Sequence, residues 1–426
     1  MEKGNNELAV RGKGRAAGRE VPKQSAGNEA LQALKRLFDV DFIYEWATLL
    51  LIPAYAISTV FRSQIIVIYA ILFVLKVWKD GYRKCGLELV FVIAILGLAA
   101  SYIGSWQSEV LKNVFQVAKI ICLPILMSQY RPVRGLEGKL AIVFTGLAVY
   151  GVARMQLAPL VTGYAMDRPY CFSDFFMHSS VIAFSGYLFF LVMLIRREGW
   201  KWKALSALNV ILFTYLIVLH NVRASYLAFM VITPLVLLLE FRRQALIGIG
   251  SLCLCAVVLT LGLHMLRPEL AGNTVARVRS IVDTGHGSNQ GRLVIWKKAL
   301  QVFAGDPVNG IGYRCFNRRH VVLGNTEREP DFWHAHNEFL QLLAETGLVG
   351  VVAWLAFKLR LLLLFFRERR QAIGAFMMYL LLAFEIHNIF ECYIYERIIY
   401  IYIFVLFGLG VNQVLGTRRA EQEAVR

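Results

Sequence analysis

Two histidines and an asparagine, His334, His336 and Asn337, open a long apolar run that carries Gly347 and Gly350. Imidazole takes up a proton near neutral pH, so a histidine here has the chemistry of a general base. It also has the chemistry of a hydrogen-bonding helix cap, and the residues alone leave both readings open. Metal ligation is disfavoured, because residues at i and i+2 diverge on a helix and no third ligand has helix spacing. Two arginines offer a different chemistry. Arg223, in "HNVRASYLAF", stands at the end of an apolar run beside His220 and Asn221. It is either a snorkelling anchor or an anion-binding group. Arg292 falls in "SNQGRLVIWKKALQVFAGDPVNGIGYRCF", where residues 289–304 read as an amphipathic helix. Trp296, Leu300 and Phe303 form its apolar stripe, with Arg292 one turn earlier on that stripe. Lys297 and Lys298 fall on a solvated face. An arginine aimed into packing needs an anion, either an acid such as Asp283 or Glu329 or a ligand. The "DPVNGIGYRCF" that follows is a tight-turn signature.

These groups must be held by membrane helices. The 426 residues are 57% hydrophobic, too apolar for an ordinary soluble domain. A bilayer-spanning helix needs about 20 apolar residues. The sequence has twelve such runs, the first at 43–61, the ninth at 244–265 and the last at 396–415. One long polar gap, 266–336, separates the ninth from the tenth. The expected fold is therefore an all-α polytopic bundle of about twelve helices, with a helical loop between helices nine and ten. Net charge is +17, but the basic residues alternate with the runs, which excludes a nucleic-acid surface as their explanation. Lys79, Arg83 and Lys84 follow the second run, Arg196 and Arg197 the sixth, and Arg418 and Arg419 the last. The positive-inside rule then puts both termini in the cytoplasm and the 266–336 loop outside. Among outward loops the other basic residues are Arg62, Arg154, Arg168 and Arg397. The expected organisation is a basic N-terminal region (1–40) with an interfacial helix over 28–38, helices one to nine (41–265) and the outer loop (266–336). Helices ten to twelve (337–416) and a short tail (417–426) complete it. If the tenth run starts near Asn337, then His336, Leu340, Leu343, Gly347 and Gly350 share one face. Its glycines would admit a neighbouring helix, and Glu345 points nearly opposite. The seven cysteines form no C-x-x-C pair, and a disulfide among Cys171, Cys315 and Cys392 stays open.

His336-Asn337, nine residues and Gly347-x-x-Gly350 resemble the H-N-x9-G-x-x-G signature of the O-antigen ligase family. Arg292 with Trp296, Pro307, Gly310, Gly312 and Phe316 is similar to the outer-loop pattern of the wider ligase and polymerase superfamily. Arg223 matches a functional arginine of that superfamily at the outer end of a helix. The resemblance implies a GT-C type glycosyltransferase, inverting and metal-independent, in the bacterial inner membrane. The implied donor is a polysaccharide on undecaprenyl pyrophosphate, and the implied acceptor is a sugar hydroxyl of lipid A–core oligosaccharide, both met at the periplasmic face. It implies His336 as catalytic base, Arg223 and Arg292 as pyrophosphate ligands, and Asn337, His334 and Trp296 in support. No cofactor, metal or nucleic acid is expected. The alternatives are an O-antigen polymerase, whose acceptor is a second lipid-linked glycan, and a transporter of an anionic solute using Glu345, Glu385 and His387.

Overall fold

A computed structural model describes residues 39–57, 64–162, 171–172, 175–241, 268–283, 285, 287–317 and 334–425. Among them the chain is helical and contains no strand. In order the helices are α1 (Val40–Ile57), α2 (Gln64–Asp80), α3 (Glu88–Ala100), α4 (Ser108–Ile121), α5 (Leu136–Thr162), α6 (Phe176–Arg196) and α7 (Trp200–His220). They continue with α8 (Arg223–Phe241), α9 (Pro268–Val282), α10 (Gly287–Gly305), α11 (Glu338–Arg367), α12 (Ala372–Phe390) and α13 (Arg397–Val425). Nine helical segments among the described residues are long and apolar enough to cross a bilayer. The chain is a multi-pass membrane bundle. The expected ninth run at 244–265 and the interfacial helix at 28–38 lie outside the described residues.

The helices pack closely where side chains are small. A Cβ placed on Gly97 of α3 would lie 2.4 Å from the Cβ of Ala353 on α11 and 3.5 Å from the Cα of Gly350. Only two small faces allow backbones this near. Gly350 therefore has the helix-packing use that the sequence suggests. Gly347 does something else. It has φ 59° and ψ −165°, which breaks α11. The break is filled by the 307–312 turn. The Leu348 and Val349 N–H groups donate to the Pro307 and Val308 carbonyls at 2.9 and 3.2 Å. The Ala344 and Glu345 carbonyls accept from the Ile311 and Gly312 N–H groups at 3.2 and 2.9 Å. Backbone hydrogen bonds lost from the helix are thus remade with the turn, as burial requires. Because of this break, His336 and Gly350 do not share one continuous helical face.

Ion pairs gather at one end of the bundle. Lys139 pairs with Glu45, Arg131 with Asp41, Arg196 with Glu240, Arg197 with Glu137 and Arg418 with Glu368. They tie together the chain segments that the alternating basic loops belong to. His334 and His336 lie beside Tyr395, where the start of α11 meets the link before α13.

Candidate active site

Helix α10 is the spine of the site, and it packs against α11 through Ile295, Ala299 and Val302, its buried residues. This corrects the expected stripe of Trp296, Leu300 and Phe303, since Leu300 is 48% exposed. The small Ala299 lets the helix sit close, while the larger polar-tipped side chains reach out from the edge of the contact. Each of them meets one part of the site. At the first turn, Ser288 Oγ and Asn289 Oδ1 accept from the Arg223 guanidinium at 2.6 and 2.7 Å. Arg223 also donates to the Ser280 carbonyl at 3.1 Å and is buried. One turn on, Arg292 donates to the Phe390 carbonyl at 3.2 Å and lies over the Phe390 ring. One turn further, Trp296 Nε1 donates to the carbonyl of Ala335, between the two histidines, at 3.0 Å.

Arg292 makes no ion pair among the described residues. Asp283, an expected partner, instead accepts from the Gly285 N–H, and Glu329 lies outside the described residues. Burial pulls the Arg292 pKa down, and the Glu391 carboxylate works against that. The guanidinium is thus half-hidden, next to a carboxylate, and among the described residues it holds one carbonyl.

His336 is not part of α11. It occupies the left-handed region at φ 47°, just before the helix. A non-glycine residue held there stores strain, which is common at functional positions. Asn337 is the N-cap, and its side chain accepts from the Leu340 N–H at 3.0 Å. Such a cap is worth about 1 kcal/mol. Asn337 therefore fixes where the helix begins and how His336 leaves it.

The sequence reading missed Glu391. This carboxylate is buried, lies at the end of α12 and faces His336 Nδ1 at 3.2 Å and His334 Nε2 at 3.5 Å. Burial pushes its pKa up, but the hydrogen bond from His336 and the attraction of the two imidazoles prevail, and it lies below the usual carboxylate value. The His336 backbone N–H donates to His334 Nδ1 at 3.1 Å. That bond needs a lone pair on Nδ1, so neutral His334 carries its proton on Nε2, which faces Glu391 at 3.5 Å. Burial lowers the His334 pKa against the opposing pull of Glu391.

His334, His336 and Glu391 also bring three potential metal-ligand atoms within 4.8 Å of one another. The third group, absent from the helix spacing, arrives from another helix. In the structure the trio is joined by hydrogen bonds, His336 Nδ1 with Glu391 at 3.2 Å and the His336 N–H with His334 Nδ1 at 3.1 Å.

Around the relay, Tyr395 accepts from Gln341 Nε2 at 3.0 Å and donates to Glu345. Glu345 also takes the Phe316 N–H at 3.0 Å, so it faces the turn and is fully buried. Glu385 pairs with Lys358 at 2.8 Å, and Lys358 with Glu338 at 2.6 Å. Glu338 in turn accepts from the Ile394 N–H at 3.2 Å, which ties the start of α11 to the 391–396 segment. Two of the three residues a transporter would use are thus structural braces. His387 is buried within α12. Cys171, Cys315 and Cys392 are free thiols.

Residues 207–355 match the family model described as O-antigen ligase. Over this stretch, about a third of its length, the chain is similar to the O-antigen ligase family. The matched stretch runs from α7 into α11 and contains all six expected site residues, Arg223, Arg292, Trp296, His334, His336 and Asn337. Glu391 falls beyond it. No curated protein matches the chain closely enough to count as a relative. The match supports a coarse activity, an O-antigen ligase or polymerase type of glycan transfer, a family that implies lipid-linked glycan substrates.

Proposed function

We propose that the protein is an O-antigen ligase that moves a polysaccharide from undecaprenyl pyrophosphate to a sugar hydroxyl of lipid A–core oligosaccharide. The observation that carries this is the pairing of His336 Nδ1 with Glu391, next to an arginine that has no ion pair among the described residues. With Nδ1 donating to the carboxylate, Nε2 keeps its lone pair. The acceptor hydroxyl gives its proton to Nε2 while its oxygen attacks C1 of the donor sugar. The bond from C1 to the pyrophosphate oxygen breaks on the opposite face, so the anomeric configuration inverts. Glu391 steadies the imidazolium that forms, the role a buried carboxylate has in other His-based catalysts. General-base help of this kind is worth about 10²–10⁴ in rate.

Pyrophosphate is a good leaving group, but its charge must be met. Arg223 of α8, docked on the first turn of α10, and Arg292, one turn on along α10, are the guanidiniums that would meet phosphate oxygens, Arg292 with the more open fork. Two guanidiniums in a poorly solvated site supply what a divalent cation would otherwise supply. The reaction is therefore read as metal-independent. Both substrates are lipid-anchored, so their reactive ends arrive at the membrane surface. We read the ion-paired end of the bundle as cytoplasmic by the positive-inside rule. The histidine end is then periplasmic, and the membrane is the bacterial inner membrane.

The test is transfer by the purified full chain, given lipid-linked glycan and either lipid A–core or a second lipid-linked glycan as acceptor. A joined product with lipid A–core supports the ligase. A product formed only from two lipid-linked glycans would make the protein a polymerase. No product with either would overturn both.

A further inference from the structure

The donor side of the site leaves three other cations without a task. Lys119, Arg314 and Arg397 line one cavity of ≈ 490 Å³ between α2, α4 and the start of α13. Arg397 is exposed, and neither its side chain nor that of Lys119 forms an ion pair among the described residues. Lys119 lies over the Phe115 ring, 4.9 Å from its centre. Arg314 stacks on Tyr395 at 4.5 Å and donates to its carbonyl at 2.9 Å. The one acid in the lining is Glu396, which faces His178 at 3.4 Å. Cations therefore outnumber carboxylates three to one in a cavity set among apolar helices. A lysine within a membrane-spanning segment is costly and marks a site where something anionic is met.

The cavity does not end at its charges. Ile66, Val67 and Lys119 also line an apolar groove of ≈ 620 Å³ that continues along α2 to Val74 and Leu75. From residue 66 to residue 75 a helix rises roughly 14 Å. A basic chamber opening into a narrow apolar groove suits an amphiphile with a phosphate headgroup. It also lies across the 391–396 segment from Arg292. Tyr395 is part of its wall, and the same ring stands edge-on to His334 at 6.2 Å.

We propose that this cavity holds the phosphate of the acceptor's lipid anchor, with a hydrocarbon chain of that anchor in the groove between α2 and α4. The donor and acceptor phosphates would then lie on opposite sides of the His336–Glu391 pair. The inference rests on the transferase reading above. It takes the ligase form of that reading, whose acceptor, lipid A–core, is a phosphate-bearing, lipid-anchored glycan.

The test is equilibrium binding of lipid A–core to the full chain in detergent with no donor present. Two forms of the probe are compared, one native and one with its anchor phosphates removed. Wild type should bind the native form about tenfold more tightly or better, the effect of one or more charge-assisted hydrogen bonds. The double variant Lys119→Gln, Arg397→Gln should lose that preference. The charge-keeping Lys119→Arg, Arg397→Lys should retain most of it, which separates lost charge from a damaged fold. Wild type that binds both forms alike, or neither, overturns the proposal. So does a double variant that keeps the preference, or one that loses affinity for lipid-linked donor instead. Because no turnover is measured, this result is independent of the transfer assay.

Discussion

His336 is held from both sides, and each hold has a distinct consequence. Glu391 engages Nδ1, and the strained backbone is fixed by the Asn337 cap. Glu391→Gln keeps the shape but turns an acceptor-only carboxylate into an amide that can present N–H to the ring. We expect kcat to fall on the order of 10²–10⁴ with little change in donor affinity, read from single-turnover transfer and donor binding. A variant with weakened donor binding and an unchanged chemical step would place Glu391 with the arginines instead. The pH dependence of stability follows from the same residues. The His334 pKa is depressed in the folded chain, so below about 6.5 the unfolded chain binds a proton that the folded site refuses. Stability is therefore lost as pH falls through that range. Glu391, also depressed, adds a loss of the same sign below about 4.3. Thermal unfolding between pH 8 and 5 should show the first slope, and His334→Gln should flatten it. A midpoint that rises on acidification would contradict the tautomer given to His334.

At the scale of elements, the two glycine-bearing stretches form one joint. Gly347 breaks α11, and the 307–312 turn fills the break. A Cβ at Gly347 would sit 2.3 Å from the Val308 carbonyl oxygen, at φ 59°. Gly347→Ala should lower stability by about 1–3 kcal/mol and impair transfer, by strain at a left-handed position and by loss of the turn contacts. Gly146→Ala, with nothing within 4 Å of its added Cβ, is the control and should be tolerated. Equal melting temperatures for the two variants would dissolve the joint. Much of this was legible. The two stretches read as units, since Arg292 and Trp296 both reach from α10 to the ends of neighbouring segments, Phe390 and Ala335, and Gly347 and Gly350 both take close backbone contacts on α11. The phase of α10 was not, because the sequence alone does not show that small Ala299 faces the neighbour while Trp296 reaches past it to a carbonyl. Glu391 was not either. It lies 55 residues from His336, and only the return of α12 to the same end brings them together. A signal was present nonetheless: Glu391 and Glu396 sit in a short link between two apolar runs, where carboxylates are expensive.

Across the whole molecule, charge and chemistry are separated by the length of the bundle. One end carries the ion pairs from Glu45–Lys139 to Glu368–Arg418, and the other carries the relay. The alternation of basic loops made this division readable from sequence, since each crossing reverses direction. A reporter fused after Arg419 should behave as cytoplasmic, and one inserted near Asn325 as periplasmic. The reverse result would put the relay on the side away from the exported glycan. The measurement that tests the central claim most directly is single-turnover transfer from pre-bound lipid-linked donor to lipid A–core, in EDTA, by wild type beside His336→Ala. The account predicts that wild type forms product without added metal. It predicts that His336→Ala holds donor normally and forms product about 10²–10⁴ times more slowly. Transfer by His336→Ala at the wild-type rate, or a strict need of wild type for added divalent metal, would contradict it.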